Sequence, residues 1–297
     1  MNLEQRVAQT RQTLEALRGQ VGERHPQYAT RLGRLAVLYH QMGRPQEALP
    51  LLEQAVEIFQ AGNGRKLPQR AVLLNNLAVA CRELDRPDEA KSYFLRALEL
   101  DRKAFGERHA QFATHLNNLA GLHQHLGNPE EALPLLIQVV DIDRETLGDN
   151  HPQYASHLNN LAVLYLQLGQ AEKAPALMLK SLEIGKVTLG VNHHRFVTRL
   201  NNLALVHSYL GRQEKAYRVF NQAVRIGGAV LGDQHPEYAI LILNLGGVFL
   251  RLKQTQSARQ MADRAHRILL GAYGRDHPLS RVAWRFSRNL QMLDRTG

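Results

Sequence analysis

Apolar residues along this chain fall at helical spacing almost throughout. From Ser156 to Gly169 the order S-H-L-N-N-L-A-V-L-Y-L-Q-L-G puts Leu158, Leu161, Ala162 and Tyr165 at offsets of 0, 3, 4 and 7, one face of a helix. The core of that stretch, Leu158-Asn159-Asn160-Leu161-Ala162, stands again at Leu74, Leu116 and Leu200, each 42 residues from the next. Weaker copies begin at Leu32 and Ile242. A second marker keeps the same period: His25-Pro26, His151-Pro152, His235-Pro236 and His277-Pro278, with Leu67-Pro68, His109-Ala110 and His193-His194 between. A fixed period of this length, with no register break from 25 to 278, predicts a solenoid of repeated supersecondary units.

Each unit predicts two helices. Helix A opens at the Pro of the marker, where a missing N–H costs nothing. It stops at Gly43, Gly127, Gly169 or Gly211, where a left-handed residue is least strained without a Cβ. Asp85 and Lys253 take that place in the second and sixth units, so those turns are expected to be less well formed. Helix B begins at Pro45, Pro87, Pro129, Ala171, Gln213 or Thr255, and acids such as Glu130 and Glu131 suit its N-terminal dipole. Its inner face alternates small and large residues: Ala90, Phe94 and Ala97; Ala174, Met178 and Ser181; Ala216, Phe220 and Ala223. The boundaries are a half-repeat or capping helix over 1–25, then units 26–67, 68–109, 110–151, 152–193, 194–235 and 236–277. A capping helix follows over 278–297, where Trp284 replaces a core Leu and Ser287 and Arg288 replace Leu-Ala.

The pattern L-x-x-L-A-x-x-Y, then Ala, then an aromatic or Met, then a small residue resembles the tetratricopeptide repeat. Leu158, Leu161, Ala162, Tyr165, Ala174, Met178 and Ser181 fall on its successive positions. The unit is 42 residues rather than about 34, no Trp opens helix A in the six full units, and the closing Pro has moved to the His-Pro loop. The lengthened form, with L-N-N-L-A and L-G-x-x-H-P, is similar to the kinesin-light-chain type of that repeat, over roughly residues 26 to 277. The resemblance implies an all-α fold, a right-handed α-solenoid of tandem antiparallel helix pairs, and a concave groove that holds peptide ligands.

Composition narrows the function classes. The chain has 297 residues, 44% hydrophobic and 22% charged, an ordinary soluble balance. Cys81 is the single cysteine, which leaves no disulfide framework or thiolate metal cluster and fits a reducing compartment. With no secretory run at the N-terminus and apolar runs too short to span a bilayer, a cytoplasmic protein without membrane attachment is expected. No P-loop, dinucleotide fingerprint, H-E-x-x-H or nucleophile elbow is present, so no enzyme and no cofactor is expected. Gly62-Asn63-Gly64 reads as a turn rather than a phosphate loop. Seven His (25, 109, 151, 193, 194, 235 and 277) lie where they can cap helix A. His123 and His125, two apart on a helix, cannot share a metal, so no metal site is expected. Cys81 reads as a small buried residue standing for Tyr165's equivalent rather than a nucleophile.

The candidate binding surface is the other stripe of helix A, at offsets 0, 4, 7 and 11. It gives Thr30, Arg34, Val37 and Gln41; Val72, Asn76, Val79 and Glu83; Thr114, Asn118, Gly121 and His125. It continues with Ser156, Asn160, Val163 and Gln167; Thr198, Asn202, Leu205 and Tyr209; Ile240, Asn244, Gly247 and Arg251. By the resemblance this stripe lines the groove. Asn76, Asn118, Asn160, Asn202 and Asn244 form a ladder whose amides, donor and acceptor both, can pair with a peptide backbone of any sequence. The preceding Asn75, Asn117, Asn159 and Asn201 either bond between adjacent helices A or form a secondary groove. Small residues such as Gly121, Val163 and Gly247 leave space, and the groove cations are Arg34, Arg82 and Arg251. Without a dense clamp for a terminal carboxylate, the expected ligand is an internal or mildly acidic peptide or protein segment. It could belong to a separately encoded effector enzyme, which makes the chain a scaffold, adaptor or regulator. The formal charge of +10 is concentrated in the C-terminal third, and the alternative is nucleic-acid binding through Arg251, Arg259, Arg264, Arg267, Arg281, Arg285 and Arg288. With aromatics at 6%, stacking platforms for that are few, and a solvated end-cap explains the arginines more simply.

Overall fold

The computed structural model describes residues 2–61 and 67–296, with side chains as far as Met292; Gly62-Asn63-Gly64 lies outside the described residues. Among the described residues the chain is all-α, with fourteen helices and no strand, and it builds an α-solenoid. It divides into two compact units, Met1–Gly148 and Asp149–Gly297.

Unit 1 holds α1 (Leu3–Val21), α2 (Pro26–Gln41), α3 (Pro45–Ala61), α4 (Leu67–Glu83), α5 (Pro87–Phe105), α6 (Ala110–His125) and α7 (Pro129–Leu147). Unit 2 holds α8 (Pro152–Gln167), α9 (Ala174–Thr188), α10 (His194–Tyr209), α11 (Gln213–Leu231), α12 (Pro236–Arg251), α13 (Thr255–Tyr273) and α14 (Pro278–Thr296). Within each unit every helix packs on its chain neighbours, and helices A also touch one another, α2 with α4, α4 with α6, α8 with α10 and α10 with α12.

The His-Pro marker is a helix cap. The Nδ1 of His25, His109, His151, His193, His235 and His277 accepts the backbone N–H two residues on, at 3.1 to 3.3 Å. One of the free donors of α2, α6, α8, α10, α12 and α14 is thereby satisfied by an imidazole nitrogen. Phe105 stacks on His109 at 4.0 Å between centroids and Tyr273 on His277 at 4.2 Å, which holds those rings in place.

Helix A ends in the left-handed turn at Gly43, Gly127, Gly169 and Gly211, with φ from 68° to 75°. Asp85 and Lys253 adopt the same conformation, with φ of 57° and 61°. Their turns close as fully as the glycine ones, contrary to the sequence expectation. Arg86 N bonds Cys81 O and Gln254 N bonds Phe249 O at 2.9 Å, the distance from Asn128 N to His123 O at Gly127. The same backbone hydrogen bond closes each turn, and the left-handed residue carries the cost of its Cβ approaching the following carbonyl oxygen. A second departure lies at helix B of 152–193. Ala171–Lys173 is a 3-10 turn and α9 begins at Ala174, because Pro175 lacks the N–H that would bond back to Ala171.

The inner faces meet through alanines. Ala48, Ala90 and Ala132 in unit 1 and Ala174, Ala216 and Ala258 in unit 2 are wholly buried. Any larger side chain there would overpack the crossing, at about 1–3 kcal/mol. Leu158, Leu161 and Ala162 are buried as the spacing predicts, whereas Tyr165 is half-buried under the Lys173 ammonium, 5.1 Å from its ring centroid. Cys81 is buried and burial pushes its thiol up to about 11, so it stays a protonated core atom at neutral pH.

Candidate functional site

The register that buries one face of helix A leaves a second stripe outside the core, and each unit furnishes its own differently. In unit 1 a cavity of about 500 Å³ opens between α1, α2 and α4. Its floor is apolar, made by Val37, Leu38, Phe59, Val72 and Leu73, and its rim carries Arg6, Arg31, Arg34 and Asn76. A second cleft of about 280 Å³ gathers Asn75, Asn76, Val79, Arg82 and Asn118. Gly121 borders it: a Cβ there would lie 3.2 Å from the Arg82 guanidinium. Asn75, Asn76, Arg82, Asn118 and Gly121 therefore come together, and Arg34 shares the larger cavity with Asn76. His125 lies exposed in the last turn of α6, and Asn117 is half-buried further up that helix. Glu83, at the end of α4, meets His40 Nδ1 at 2.9 Å.

The asparagines bond to one another. Asn118 Nδ2 donates to Asn75 Oδ1 at 2.9 Å, Asn202 Nδ2 to Asn159 Oδ1 at 3.1 Å, and Asn244 Nδ2 to Asn201 Oδ1 at 2.9 Å. Within a pair, Asn75 Nδ2 reaches Asn76 Oδ1 at 3.4 Å and Asn201 Nδ2 reaches Asn202 Oδ1 at 3.3 Å. Both asparagines of a pair thus tie adjacent helices A, not the first alone. At Asn118, Asn202 and Asn244 one amide proton is spent on this bond. An amide carries a second proton and a second lone pair beyond these bonds, although Asn202 Oδ1 already accepts from Asn201.

In unit 2 the cleft on this face is about 210 Å³, bordered by His194, Thr198, Asn201, Glu237 and Ile240. Two arginines of unit 2 are engaged by oxygens of neighbouring helices. Arg251 Nη1 donates to Ser208 O at 2.8 Å and to Ser208 Oγ at 3.1 Å, closing the end of α10. Arg199, 4% exposed, donates to Ser181 O at 3.0 Å and to Ser156 Oγ at 3.2 Å; burial and Arg195 pull its pKa down. Asn160 and Val163 are half-buried on α8, Gln167 is exposed at its end, and Tyr209 is 60% exposed at the end of α10.

Two sets of contacts lay beyond sequence reasoning. Arg6, Gln9 and Thr10 of α1 and Arg31 of α2 complete the larger cavity. The signal for them lay in the register: Arg6 and Thr10 stand where helices B elsewhere carry the buried Ala48 and Leu52. The arginines considered for nucleic acid are partly consumed. Besides Arg251, Arg264 lies 3.7 Å from Asp233 and over the Tyr238 ring, and Arg259 lies 3.8 Å from Asp263. Among the described residues no three His, Cys, Asp or Glu side chains gather as a metal set, and no helix is long and apolar enough to cross a membrane.

Comparison with known proteins follows this geometry. A family model described as tetratricopeptide repeat matches residues 10–61, 111–186, 157–228 and 196–271, and a second of the same description matches 71–104. No match is found among curated protein sequences. Among solved structures, BtubC (BKLC) from P. vanneervenii superposes with a TM-score of 0.66 at 23% identity, over 78% of this chain and 93% of that one. A putative kinesin light chain of Podosopora anserina with nearly identical TPR-like repeats gives 0.58 at 28% identity, over 69% and 97%. A signal transduction ATPase with a tetratricopeptide repeat sensor from Pyrococcus horikoshii gives 0.70 at 18% identity, over 89% of this chain and 38% of that one.

Proposed function

Because the chain belongs to the tetratricopeptide repeat family, whose repeats are protein-interaction scaffolds, we propose that it is a non-enzymatic adaptor or regulator. Its groove takes a segment of a partner protein, and the division into six 42-residue units between two end helices is part of the same reading. The seat is in unit 1. The observation that carries this is the cavity of about 500 Å³, where Arg6, Arg31 and Arg34 surround an apolar floor and, among the described residues, none has a carboxylate within ion-pair distance. Three guanidinium groups side by side repel one another unless an anion joins them. The bound segment therefore carries acidic residues beside a large apolar side chain, which fills the space over Val37, Phe59 and Leu73. Asn76, Asn118 and the weakly held Oδ1 atoms of the ladder then pair with its backbone. Within unit 2, Asn160, Val163, Gln167, Asn202, Tyr209 and Asn244 form a separate contact surface of lower charge.

Selection of a random peptide display library on the full chain tests this. Acidic peptides with an apolar residue should be enriched, and Arg31→Glu/Arg34→Glu should weaken the selected peptide by about a hundredfold, as loss of charged hot-spot contacts does. Asn118→Ala should cost about tenfold, provided circular dichroism shows the fold intact. Undiminished binding by both variants would move the site away from this groove.

A further inference from the structure

At the C-terminal end of unit 2 the helix-stacking register meets an unexpected set of side chains. Arg281 and Trp284 of α14 stand where α12, 42 residues earlier, has Ala239 and Ile242, both wholly buried. In α12 that face lies in one buried cluster with Ala265, Ile268 and Leu269 of the following helix α13. On α14 the same face is open: Trp284 is 45% exposed and Leu270 beside it 40%. This exposed face carries the sole tryptophan of the chain.

The surroundings of Trp284 are cationic. Arg281, Arg285 and Arg288 fall at i, i+4 and i+7, one stripe of α14, and the Arg288 guanidinium lies 5.2 Å from the Trp284 ring centroid. Arg281, Arg285, Trp284, Leu270 and Arg275 border a cavity of about 390 Å³ that Asp276 and His266 complete. Among the described residues none of these four arginines has a carboxylate within ion-pair distance. α14 itself is anchored: Ser280 Oγ donates to Leu269 O at 3.0 Å, Ser287 Oγ bonds Asp263, and Ala283 and Leu290 are buried against α13. The open face is therefore a rigid platform.

We infer that this face is a second docking site, distinct from the groove, for an acidic amphipathic helix of a partner protein. The helix takes the stacking position that α13 takes on α12. Its carboxylates meet Arg281, Arg285 and Arg288, and one large apolar side chain seats between Trp284 and Leu270. Tryptophan with arginine is the composition in which binding energy concentrates at interfaces. A second copy of this chain, at formal charge +10, repels rather than complements the patch. Nucleic acid would need several stacking platforms, and the patch offers one.

The single tryptophan makes the site self-reporting. The full chain is titrated with a synthetic amphipathic peptide whose polar face is glutamate and whose apolar face is leucine. A twin with lysine for glutamate and an oligothymidylate serve as comparisons. The expected result is a saturable blue shift of Trp284 emission with the glutamate peptide alone. Affinity should fall about tenfold or more in Arg281→Glu/Arg285→Glu, as charge reversal at an interface does. Both side chains are exposed, so folding is preserved, and circular dichroism checks it. The response should persist in Arg31→Glu/Arg34→Glu, which separates this site from the groove. An unchanged emission, an equal response to the lysine peptide, or tighter binding of the oligothymidylate would each overturn the inference.

Discussion

Between the helix B of one hairpin and the helix A of the next, unit 1 sets Asp101 against His115 and unit 2 sets Gly185 against Arg199. Asp101 Oδ2 lies 2.6 Å from His115 Nδ1, its Oδ1 accepts from Gln111 Nε2 at 2.6 Å, and both ionisable side chains are almost fully buried. At the matching place, 84 residues on, glycine leaves the volume a guanidinium needs: a Cβ on Gly185 would lie 2.3 Å from Arg199 Nη1. In the next unit Gly227 faces Leu241 and no charge remains. The same backbone interface accepts an acid with an imidazole, a void with a cation, or plain apolar packing. Helix spacing is what the repeat holds constant, and the chemistry of the slot varies inside it.

The largest effect should come from breaking the acid side of that comparison. Asp101→Leu leaves His115 and Gln111 without their buried acceptor and should cost about 3 kcal/mol in urea unfolding. A loss under about 1 kcal/mol would mean the slot repacks freely. Gly185→Ala drives a methyl into the Arg199 guanidinium and should cost about 2 kcal/mol. By contrast Arg199→Met, which removes the buried charge and keeps its volume, should be neutral or stabilise by about 1 kcal/mol. Strong destabilisation by Arg199→Met would give the cation a structural value that its two hydrogen bonds do not explain.

Acid sharpens the contrast. In unit 1 the buried rings of His115 and His123 each face a carboxylate, at 2.6 and 2.7 Å. In unit 2, burial holds His207 below the ordinary 6.5, with Arg212 and Lys215 adding to it, and burial beside His194 does the same to His193. A depressed histidine pKa means that the folded state prefers the neutral ring. Its contribution is therefore complete above 6.5 and lost as pH falls through the lowered values. Amide exchange in α10 and α11 should accelerate between pH 7 and pH 5 more than in α4 and α6. Equal acceleration in both units would remove the distinction. The smallest effect is at the helix ends: Lys253→Gly should stabilise unit 2 by about 1 kcal/mol and Asp85→Gly unit 1 by less, since Asp tolerates the left-handed region better.

The fold was legible because the 42-residue register is uninterrupted and each signal in it has a local cause. The His-Pro cap, the glycine stop and the small residues of helix B need only their own neighbours. The candidate stripe was legible as a helix surface, but its contacts were not. The stripe does contain Arg34, Asn76 and Asn118, which line the unit 1 cavities with Arg82 beside them. That the second Asn of a pair would spend a proton on the preceding unit depends on the rise between helices A, which composition does not encode. Arg251 reads as a groove cation from its offset alone. Its reach to Ser208 depends on the distance to the end of α10, and a period along the chain carries no such distance.

The imidazole caps also give the chain a set of built-in spectroscopic markers. Each of the six rings accepts at Nδ1, so its neutral form carries the proton on Nε2, the less common arrangement being excluded by the cap itself. A nitrogen-15 spectrum of the ring atoms should therefore show one tautomer six times over, spaced along the solenoid every one to two repeats. Fraying at any single helix start would release one ring to tautomeric exchange while the others held. Local opening could then be followed hairpin by hairpin, without labels introduced from outside.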